Sequence, residues 1–273
     1  MKYEDERKRS LSVILPVINE KENLKYLIPQ IFEIFEGMRD LIEIIVVDDG
    51  STDGTNEFIN QVYQAESRLK YFERLEPKSL PESINLGIKF AKHDSVAWLD
   101  ADGSMPILDL YKMATTFQTT STNCVIGSRF VTGGGFKGLK IDSNNSIFAV
   151  VRRLHESQDS LIAVVLSRIL NMYLRFCLNA NIKDLTSGFI VIDKTIMLRN
   201  RLLGGYGDYF PRLVFNLKRE NVNITEIGYY CEPRIFGKSK TGTNLFQLIK
   251  TGVPYAVLGT KILLSRIFRR GSN

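Results

Sequence analysis

Two apolar runs of strand length, each followed at once by a pair of carboxylates, constrain the fold of this chain more than any other feature. The runs are residues 42–47, followed by Asp48 and Asp49, and residues 96–99, followed by Asp100 and then Asp102. Predominantly apolar runs of this length are typical of strands buried on both faces, and open α/β sheets place their ligand crevice at the carboxyl ends of such strands. The pattern therefore predicts an acidic crevice at one edge of a sheet.

The first half of the chain alternates between strand-like runs and segments with apolar residues at helical spacing. The strand-like runs are residues 11–15, 42–47, 70–75 and 96–99, and the helical segments are 24–37, 55–65 and 81–92. Strands separated by single helices pair in parallel through right-handed crossovers. We therefore predict a doubly wound, mostly parallel α/β sheet whose first strand ends at Pro16.

The positive charge of the chain is concentrated near its C-terminal end. Residues 201–273 hold 12 lysines and arginines against four acidic residues, whereas the whole chain holds 36 against 30. A basic segment of this kind favours an anionic partner, either phosphate groups or an anionic membrane surface. Nucleic acid is not expected as a partner, because the sequence has no basic recognition helix and no base-stacking aromatic motif.

Cysteine usage and the N-terminal composition predict a cytoplasmic protein. Cys124, Cys177 and Cys231 are odd in number and widely spaced, which argues against a disulfide framework or a zinc site and favours a reducing compartment. Residues 1–10 are charged and lack the apolar segment of a signal peptide. The length of 273 residues suffices for one large α/β domain with a full core.

The second carboxylate pair suits a metal ion. Asp100 and Asp102 offer two hard oxygen ligands at the mouth of the predicted sheet, where Mg²⁺ or Mn²⁺ would carry a phosphorylated substrate. The alternative is a polar loop that only caps a strand and starts a helix at Pro106. The other carboxylate pair, which runs into a turn rich in glycine, serine and threonine, favours the metal interpretation.

Six ordered motifs resemble those of a known enzyme family. Three of them resemble the family 2 glycosyltransferases with the type A fold: residues 12–16 together with 19–20 and 23–24, residues 46–55, and residues 99–102. Three more resemble the dolichol-phosphate mannose synthase branch of that family, which includes bacterial polyprenyl-phosphate sugar transferases; they are residues 126–134, 184–189 and 234–240. The resemblance covers roughly residues 11–240 and implies a type A glycosyltransferase fold, Rossmann-like and doubly wound.

The resemblance implies a UDP- or GDP-sugar donor. The residues that it assigns to the donor or its metal ion are Pro16, Glu20, Asp48, Asp49, Lys78, Asp100, Ala101 and Asp102. Pro16 could instead end a strand, Glu20 could be a solvated loop acid, and Asp48 could cap the following turn. Relatives often carry an aromatic residue two positions after the proline, and this chain has Ile18 there.

For the acceptor, the resemblance implies a polyprenyl or dolichyl phosphate. The residues that it assigns to this phosphate are Arg129, Ser167, Arg234, Lys238 and Lys240. Relatives carry an arginine four residues before the serine, whereas this chain has Ala163 there, and Arg152 or Arg153 could replace it. The segment from Arg234 to Lys240 could form a mobile cationic lid, because Gly237 and Gly242 leave its backbone free to close. The alternative is a run of charged residues that is simply solvated.

The reaction implied is a metal-dependent, inverting sugar transfer in which Asp102 and Arg129 act directly. An ionised acceptor phosphate needs no general base, whereas a hydroxyl acceptor does. Asp208 is the candidate base for a hydroxyl acceptor, and a turn residue among three glycines is its alternative. Two other functions stay open: transfer to a saccharide hydroxyl in cell-surface polysaccharide synthesis, and a degenerate subunit that only binds nucleotide sugar or lipid.

Two apolar segments bear on membrane association. Residues 161–176 and 245–268 contain Arg168, Arg175, Lys250, Lys261 and Arg266 and are too often interrupted to span a bilayer. Basic amphipathic helices in the membrane interface are expected, with core packing as the alternative. We therefore expect a peripheral protein at the cytoplasmic inner face.

The expected domain organisation follows from these assignments. Residues 1–240 form the catalytic domain, with a nucleotide-sugar half at about 10–130 and an acceptor half at about 131–240. Residues 241–273 form a basic, amphipathic C-terminal helical segment.

Overall fold

A seven-stranded sheet forms the centre of the computed structural model, which describes residues 10–136, 139–140, 161–237 and 245–270. The strands are β1 (Leu11–Val17), β2 (Ile42–Asp48), β3 (Leu69–Glu73), β4 (Ser95–Trp98), β5 (Cys124–Ser128), β6 (Gly135–Phe136), β7 (Leu139–Lys140), β8 (Ile190–Asp193) and β9 (Ile224–Gly228). The main sheet has the order β3-β2-β1-β4-β8-β5-β9, and β6 pairs with β7 separately. All pairings in the main sheet are parallel except those of β8 with β4 and β5. The predicted mostly parallel α/β sheet is confirmed.

Helices cover both faces of this sheet. They are α1 (Lys21–Ile34), α2 (Thr55–Tyr63), α3 (Leu80–Phe90), α4 (Ile107–Thr119), α5 (Leu161–Leu178), α6 (Lys194–Arg199), α7 (Tyr209–Arg219) and α8 (Leu245–Arg270). Apolar residues of α1, α2 and α4 pack on one face, and those of α3, α5, α6, α7 and α8 pack on the other. Neighbouring strand residues alternate between the two cores, as Val13 and Ile14 do in β1. The doubly wound architecture is therefore confirmed.

The first strand continues past the predicted end at Pro16. Pro16 lies inside β1 opposite Val47, and the strand ends at Val17. On the other side of β1, the pairing with β4 stops at Ile14 opposite Trp98. Pro16 therefore lies beyond the end of β4, where a residue without an N–H group breaks no ladder between β1 and β4.

The two apolar helices α5 and α8 pack against each other and against the sheet. Leu174 and Cys177 of α5 and Leu258 and Ile262 of α8 are buried in the same core. Tyr173 of α5 is hydrogen-bonded to Thr260 of α8, with 2.6 Å between the hydroxyl oxygens. Among the helices in the described part of the chain, none has both the length and the apolarity needed to cross a membrane.

A buried carboxylate lies at the amino end of the strands, opposite the edge where the predicted site residues lie. Glu43 accepts hydrogen bonds of 2.6 Å from the Ser12 hydroxyl and from the Lys92 N–H, and its other oxygen lies 2.9 Å from Lys70 Nζ. Burial alone would raise the pKa of Glu43, but these partners outweigh it and hold the pKa below 4.5.

His93 lies beside this carboxylate. Its N–H donates to Ser12 Oγ at 3.3 Å, and its buried Nε2 has no hydrogen-bond partner among the described residues. Burial lowers the pKa of His93 below 6.5 and Lys92 and Lys70 add to the shift, while Glu43 and Asp94 oppose it. The folded protein therefore resists protonation of this ring.

We expect the folded state to lose stability as the pH falls below about 6.5, because the unfolded chain then binds a proton that folded His93 resists. One such proton contributes a slope of at most about 1.4 kcal/mol per pH unit. His93→Gln should flatten this slope in urea titrations between pH 7 and 5.5. An unchanged slope in the variant would assign the pH dependence to other groups.

Candidate active site

The strands β1, β2 and β4 end at one edge of the sheet, and the predicted acidic loop lies there. Asp100 and Asp102 follow β4 in a tight turn, in which Asp102 Oδ1 accepts a hydrogen bond of 2.9 Å from the Ser104 N–H. Gly103 has a φ of +80°, a conformation that favours glycine. The next helix begins at Ile107, after Pro106. The local sequence therefore builds a short loop that presents two carboxylates at the sheet edge.

The segment after β9 folds over this loop. The Ile235 N–H donates to the Asp102 carbonyl at 3.1 Å, and the Glu232 N–H donates to the Ser104 carbonyl at 2.9 Å. The Ile235 side chain lies against Gly103, where an added Cβ would come within 2.4 Å of its Cδ1. Gly103 is therefore required both for its φ and for this close approach.

Arg234 connects the two sides of the crevice. Its Nη2 donates to both carboxylate oxygens of Glu20, and its Nη1 lies 3.4 Å from Asp102 Oδ2. Asn23 orients Glu20 through a hydrogen bond of 2.6 Å and accepts the Phe236 N–H at 3.0 Å. The side chains of Arg234 and Glu20 are only 15% and 9% exposed. Glu20 is therefore a buried, paired acid, and Arg234 lies among the residues predicted to bind the donor.

The charges in the crevice perturb Asp100. Burial and the charges of Asp102 and Glu20 together raise the pKa of Asp100 to about 7, and Arg234 and Arg129 oppose the shift. Negative charge is thus concentrated where a divalent cation would relieve it.

The donor set of the crevice fits a metal ion that arrives with its substrate. Within the described ranges, no group of three or more His, Cys, Asp and Glu side chains is arranged to hold a metal. Asp100 and Asp102 supply two carboxylates, and Mg²⁺ and Mn²⁺ are commonly bound by one or two carboxylates together with substrate phosphates. The two carboxylates and the high pKa of Asp100 fit this arrangement.

The carboxylates after β2 are already engaged. Asp48 accepts hydrogen bonds from the Ser51 N–H at 2.8 Å and the Tyr71 hydroxyl at 2.9 Å. Because Ser51 lies three residues further on, Asp48 caps the turn, which was the alternative that the sequence left open. Its predicted contact with the nucleotide stays a prediction.

Asp49 and Lys78 lie beside the same turn. Asp49 accepts from Arg74 Nε at 2.8 Å and from the Ser79 N–H at 2.6 Å. A Cβ added to Gly50 would lie 3.7 Å from Lys78 Cε, so Lys78 packs over this turn. The turn therefore carries a flexible positive charge next to the predicted nucleotide-binding loops.

Arg129 follows β5 and is held by a buried acid. Its N–H and Nε donate to Asp184 Oδ2 at 2.9 and 2.8 Å, and its Nη2 donates to Asp184 Oδ1 and Thr186 Oγ1, both at 2.8 Å. The side chain of Asp184 is fully buried. These bonds use Nε and Nη2, and the described part of the chain gives Nη1 no partner. Asp184 thus fixes the guanidinium and leaves one edge for a ligand.

Helix α5 adds further polar groups beside Arg129. Asn171 donates to the Ser167 carbonyl at 2.9 Å and to Thr186 Oγ1 at 3.1 Å, which places the turn containing Ser167 next to the Arg129 cluster. Arg168 lies 5.9 Å from the centre of the Phe130 ring, and Arg129 lies 5.8 Å from the same centre. Arg168 and Arg129 therefore both contact the Phe130 ring. Lys238, Lys240, Arg152 and Arg153 lie outside the described residues.

Asp208 is engaged in a turn before α7. Its Oδ1 accepts the Gly205 N–H at 2.6 Å, and its Oδ2 accepts from Arg212 Nη2 at 2.9 Å. Both oxygens therefore have partners, as the turn alternative requires. Its role as a base stays a prediction.

Several side chains of the crevice were not predicted as site residues. Asn23 and Asp184 lie within the quoted motifs or directly beside them, but the sequence does not show that they hold Glu20 and Arg129. The negative charge of Asp100 also contributes to raising the pKa of Tyr206 and of Tyr255. The glycines around Tyr206 indicate only a turn, and Tyr255 lies in a segment with no polar motif.

A mostly parallel sheet with an Asp-x-Asp loop at its carboxyl edge is the architecture of the type A glycosyltransferases, and the predicted fold is confirmed. Residues 12–199 match the model of glycosyl transferase family 2. The chain therefore belongs to glycosyl transferase family 2 and is a glycosyltransferase.

Two curated relatives point to the same branch. A dolichol-phosphate mannosyltransferase of Pyrococcus furiosus is 30% identical over 68% of this chain and 47% of its own length, so the match spans about half of that protein. A polyprenol monophosphomannose synthase of Mycolicibacterium smegmatis is 28% identical over 88% of this chain and 86% of its own length. The predicted resemblance to this branch is confirmed.

Solved structures support the fold. A glucosyl-3-phosphoglycerate synthase of Mycobacterium tuberculosis, in complex with Mn²⁺, UDP and glucosyl-3-phosphoglycerate, superposes with a TM-score of 0.59 at 18% identity, covering 97% of this chain and 84% of that one. The same enzyme with Mg²⁺ and UDP gives a TM-score of 0.60 at 18% identity, covering 94% and 83%. At this identity the likeness concerns the fold.

Proposed function

We propose that this chain transfers a sugar from a nucleotide-sugar donor to a polyprenyl or dolichyl phosphate, with inversion at the anomeric carbon. One observation carries the proposal: β4 and β5 both pair antiparallel with β8 between them, so the acidic loop after β4 and Arg129 after β5 lie at the same edge of the sheet. A donor held by the acidic loop and an anion held by Arg129 would therefore meet at this edge. The names of the two curated relatives, which refer to dolichol phosphate and polyprenol monophosphate, support this choice of acceptor.

The acidic loop is the donor side of the proposed site. Asp100 and Asp102 would hold Mg²⁺ or Mn²⁺, which offsets the charge that develops on the departing nucleoside diphosphate. Glu20 and the loop after β2 border the space for base and ribose, and Lys78 contributes a cation beside it. The structural neighbours bound to UDP with Mn²⁺ or Mg²⁺ are consistent with such a donor.

Arg234 is the part of this site that exchanges partners. Its guanidinium pairs with Glu20 and Asp102, the acids assigned to nucleotide and metal. With a metal ion and a diphosphate in the crevice, the guanidinium would turn from Asp102 towards the phosphates, since the two cations would repel each other and a bidentate Arg–phosphate pair is strong. Gly237, with a φ of +83°, gives the backbone a point of rotation.

Arg129 is the acceptor side of the proposed site. An acceptor phosphate is already ionised near neutral pH, so the site must position it and needs no base to activate it. Arg129 offers the free edge of a guanidinium fixed by Asp184, and Arg168 adds a second positive charge. Asp208, the group that a hydroxyl acceptor would need, has both oxygens engaged.

The experiment that tests this function is a screen of donors against acceptors. UDP- and GDP-sugars are offered with Mn²⁺ or Mg²⁺ to a short polyprenyl phosphate and to the matched polyprenyl alcohol. We expect metal-dependent transfer to the phosphate and none to the alcohol. Transfer to the alcohol or to a saccharide, with an inert phosphate, would contradict the proposed acceptor.

We also propose that the protein is peripheral at the cytoplasmic membrane face and binds through α5 and α8. Both helices bury one side and expose large apolar side chains on the other, namely Val165, Ile169, Met172 and Phe176 on α5 and Val253, Val257, Leu264, Ile267 and Phe268 on α8. Exposed Arg168 and Lys261 lie on the same helices. An apolar surface bordered by cations matches the interface of an anionic bilayer.

Phe176→Asp together with Phe268→Asp should release the protein from anionic liposomes in sedimentation assays. Each change places a negative charge on an exposed apolar surface, and cations near an anionic surface contribute about 1 kcal/mol each to binding. Leu198→Asp on α6, which also changes an exposed apolar residue, is the matched control and should leave binding unchanged. Equal sedimentation of both variants would contradict the assignment of α5 and α8.

A further inference from the structure

The loop after β1 and the turn after β2 are joined by side-chain hydrogen bonds. The loop leads into α1, and the turn, residues 49–54, leads into α2. Asn19 Oδ1 accepts the Thr52 N–H at 2.7 Å, and the Asn19 N–H donates to Ser51 Oγ at 2.8 Å. Asn19 has a φ of +56°, a conformation that asparagine tolerates better than most side chains do. The two segments are therefore held together through both the backbone and the side chain of Asn19.

Asp53 makes a further connection, which joins the first turns of two helices. Its Oδ1 accepts the Thr55 N–H at 3.1 Å and the Thr55 hydroxyl at 2.6 Å, at the start of α2. Its Oδ2 accepts the N–H of Lys21, the first residue of α1, at 3.0 Å. The first N–H groups of a helix have no partner within the helix, and a carboxylate is a favourable acceptor there. One carboxylate thus fixes the start of α1 relative to the start of α2.

The residues that these bonds hold in place are the ones assigned above to the donor. Glu20 lies between Asn19 and Lys21, both of which bond to the turn after β2, and Asp49 lies in that turn. Glu20 and Asp49 are buried, whereas Asp53 is exposed. Asp53 can therefore influence a ligand between these segments by setting the distance between them.

We propose that Asp53 is a positioning residue for the nucleotide donor, because it joins the start of α1 to the turn after β2 and so sets the separation of Glu20 and Asp49. The inference rests on the proposed function, since it assumes that these two acids border a bound nucleotide. Loops that are already held in the binding geometry lose less conformational entropy when the ligand binds, so the connection contributes to donor affinity. Metal binding at the acidic loop and acceptor binding at Arg129 do not depend on it.

The test compares one substitution at two aspartates that cap a helix in the same way. Asp193 Oδ1 accepts the N–H and hydroxyl of Thr195 at 2.9 and 2.7 Å, as Asp53 does with Thr55. Within the described residues, however, the Asp193 side chain makes no bond to a second helix, and Asp193 lies opposite Ser95 at the start of β4, away from the acidic loop. Asparagine has one acceptor oxygen in place of two. Asp193→Asn therefore keeps its cap, whereas Asp53→Asn loses one of its two helices.

Calorimetry with UDP and with GDP, each in the presence of Mn²⁺, measures nucleotide affinity, and steady-state kinetics separate the donor KM, the acceptor KM and kcat. Loss of a hydrogen bond to a charged acceptor predicts a rise of roughly 10-fold in the nucleotide Kd and donor KM of Asp53→Asn, with unchanged kcat and acceptor KM. Removing a negative charge near an anionic nucleotide would by itself lower the Kd. A rise therefore reports the lost connection and not the lost charge.

Asn19→Gly tests the same connection independently. Glycine adopts the positive φ of Asn19 but lacks the oxygen that accepts the Thr52 N–H. Loss of a hydrogen bond between neutral groups predicts a rise of about 2- to 10-fold in the nucleotide Kd, again with unchanged kcat.

The nucleotide Kd of the two aspartate variants decides the matter. A raised Kd in Asp53→Asn beside an unchanged Asp193→Asn supports the inference. An unchanged Kd in Asp53→Asn, an equal rise in both variants, or a fall in kcat at constant donor KM contradicts it, and the proposed function then stands as long as the unaltered protein transfers the sugar. If the unaltered protein binds neither nucleotide with Mn²⁺, the proposed donor is wrong and this inference fails with it.

Discussion

Asp102→Asn should abolish metal-dependent binding of the donor nucleotide while the chain stays folded. The substitution removes one of two carboxylates from the acidic loop, but asparagine keeps the oxygen that accepts the Ser104 N–H. Loss of an outer-shell partner costs about 10- to 100-fold in metal affinity, so loss of a direct ligand should exceed about 100-fold. Calorimetry with UDP or GDP and Mn²⁺ measures the change.

A control for this variant lies in the next helix. Asp109 is also a buried carboxylate, but it pairs with Lys112 at 2.7 Å within the first turns of α4 and is not part of the Asp-x-Asp loop. Asp109→Asn should therefore leave nucleotide binding unchanged. Undiminished affinity and turnover in Asp102→Asn would show that the loop does not hold the metal ion.

The parallel half of the fold could be predicted because each of its elements is indicated by the pattern of a short, continuous stretch of sequence. The strands β1, β2 and β4 are short, mainly apolar runs, and the helices between the first four strands show their own apolar spacing. Strand β8 could not be placed in this way. Its partners are β4 and β5, so that Ile190 lies opposite both Trp98 and Ile126. No turn or crossover in the sequence indicates that this strand runs antiparallel between two strands that precede it.

The residues of the candidate site also differ in whether the sequence could predict their arrangement. Asp100 and Asp102 are recognisable because both carboxylates and the strand that positions them are contiguous in the sequence. The pairing of Glu20 with Arg234 joins residues 214 positions apart. Periodicity and motif spacing carry no information about such a distance, so the sequence assigned Glu20 to the donor and Arg234 to the acceptor without placing them together.

Tertiary contacts also determine which charged side chains are available to bind a ligand. Lone arginines and aspartates in loops look alike in a sequence, yet Arg129 is fixed by a buried acid and Asp208 is engaged by Arg212. Asp184 lies in a quoted motif, but only the fold shows that it orients Arg129. These partners determine which charges remain for a ligand, and they were not deducible from residue type and spacing.

Removing the charge of Arg129 should abolish transfer to a phosphate acceptor, whereas Asp208→Asn should be tolerated within about tenfold. Arg129→Ala alone would leave Asp184 as a buried, unpaired charge, and breaking a buried pair costs about 3–5 kcal/mol. The double variant Arg129→Gln with Asp184→Asn avoids this cost by removing both charges while keeping polar groups of similar size. Donor affinity should change little, since the acidic loop and the loops after β1 and β2 hold the nucleotide.

Steady-state kinetics of both variants, with the matched phosphate and alcohol acceptors, separate the two enzymatic functions. For a phosphate acceptor, we expect the double variant to lose at least about 100-fold in kcat/KM, since it lacks the charge-assisted contact that positions the anion. For a hydroxyl acceptor, loss of the general base in Asp208→Asn would cost about 10² to 10⁴ in rate. An inactive Asp208→Asn beside an active double variant would therefore assign this site to a hydroxyl acceptor. Asp208, and not Arg129, would then be the residue that transfer requires.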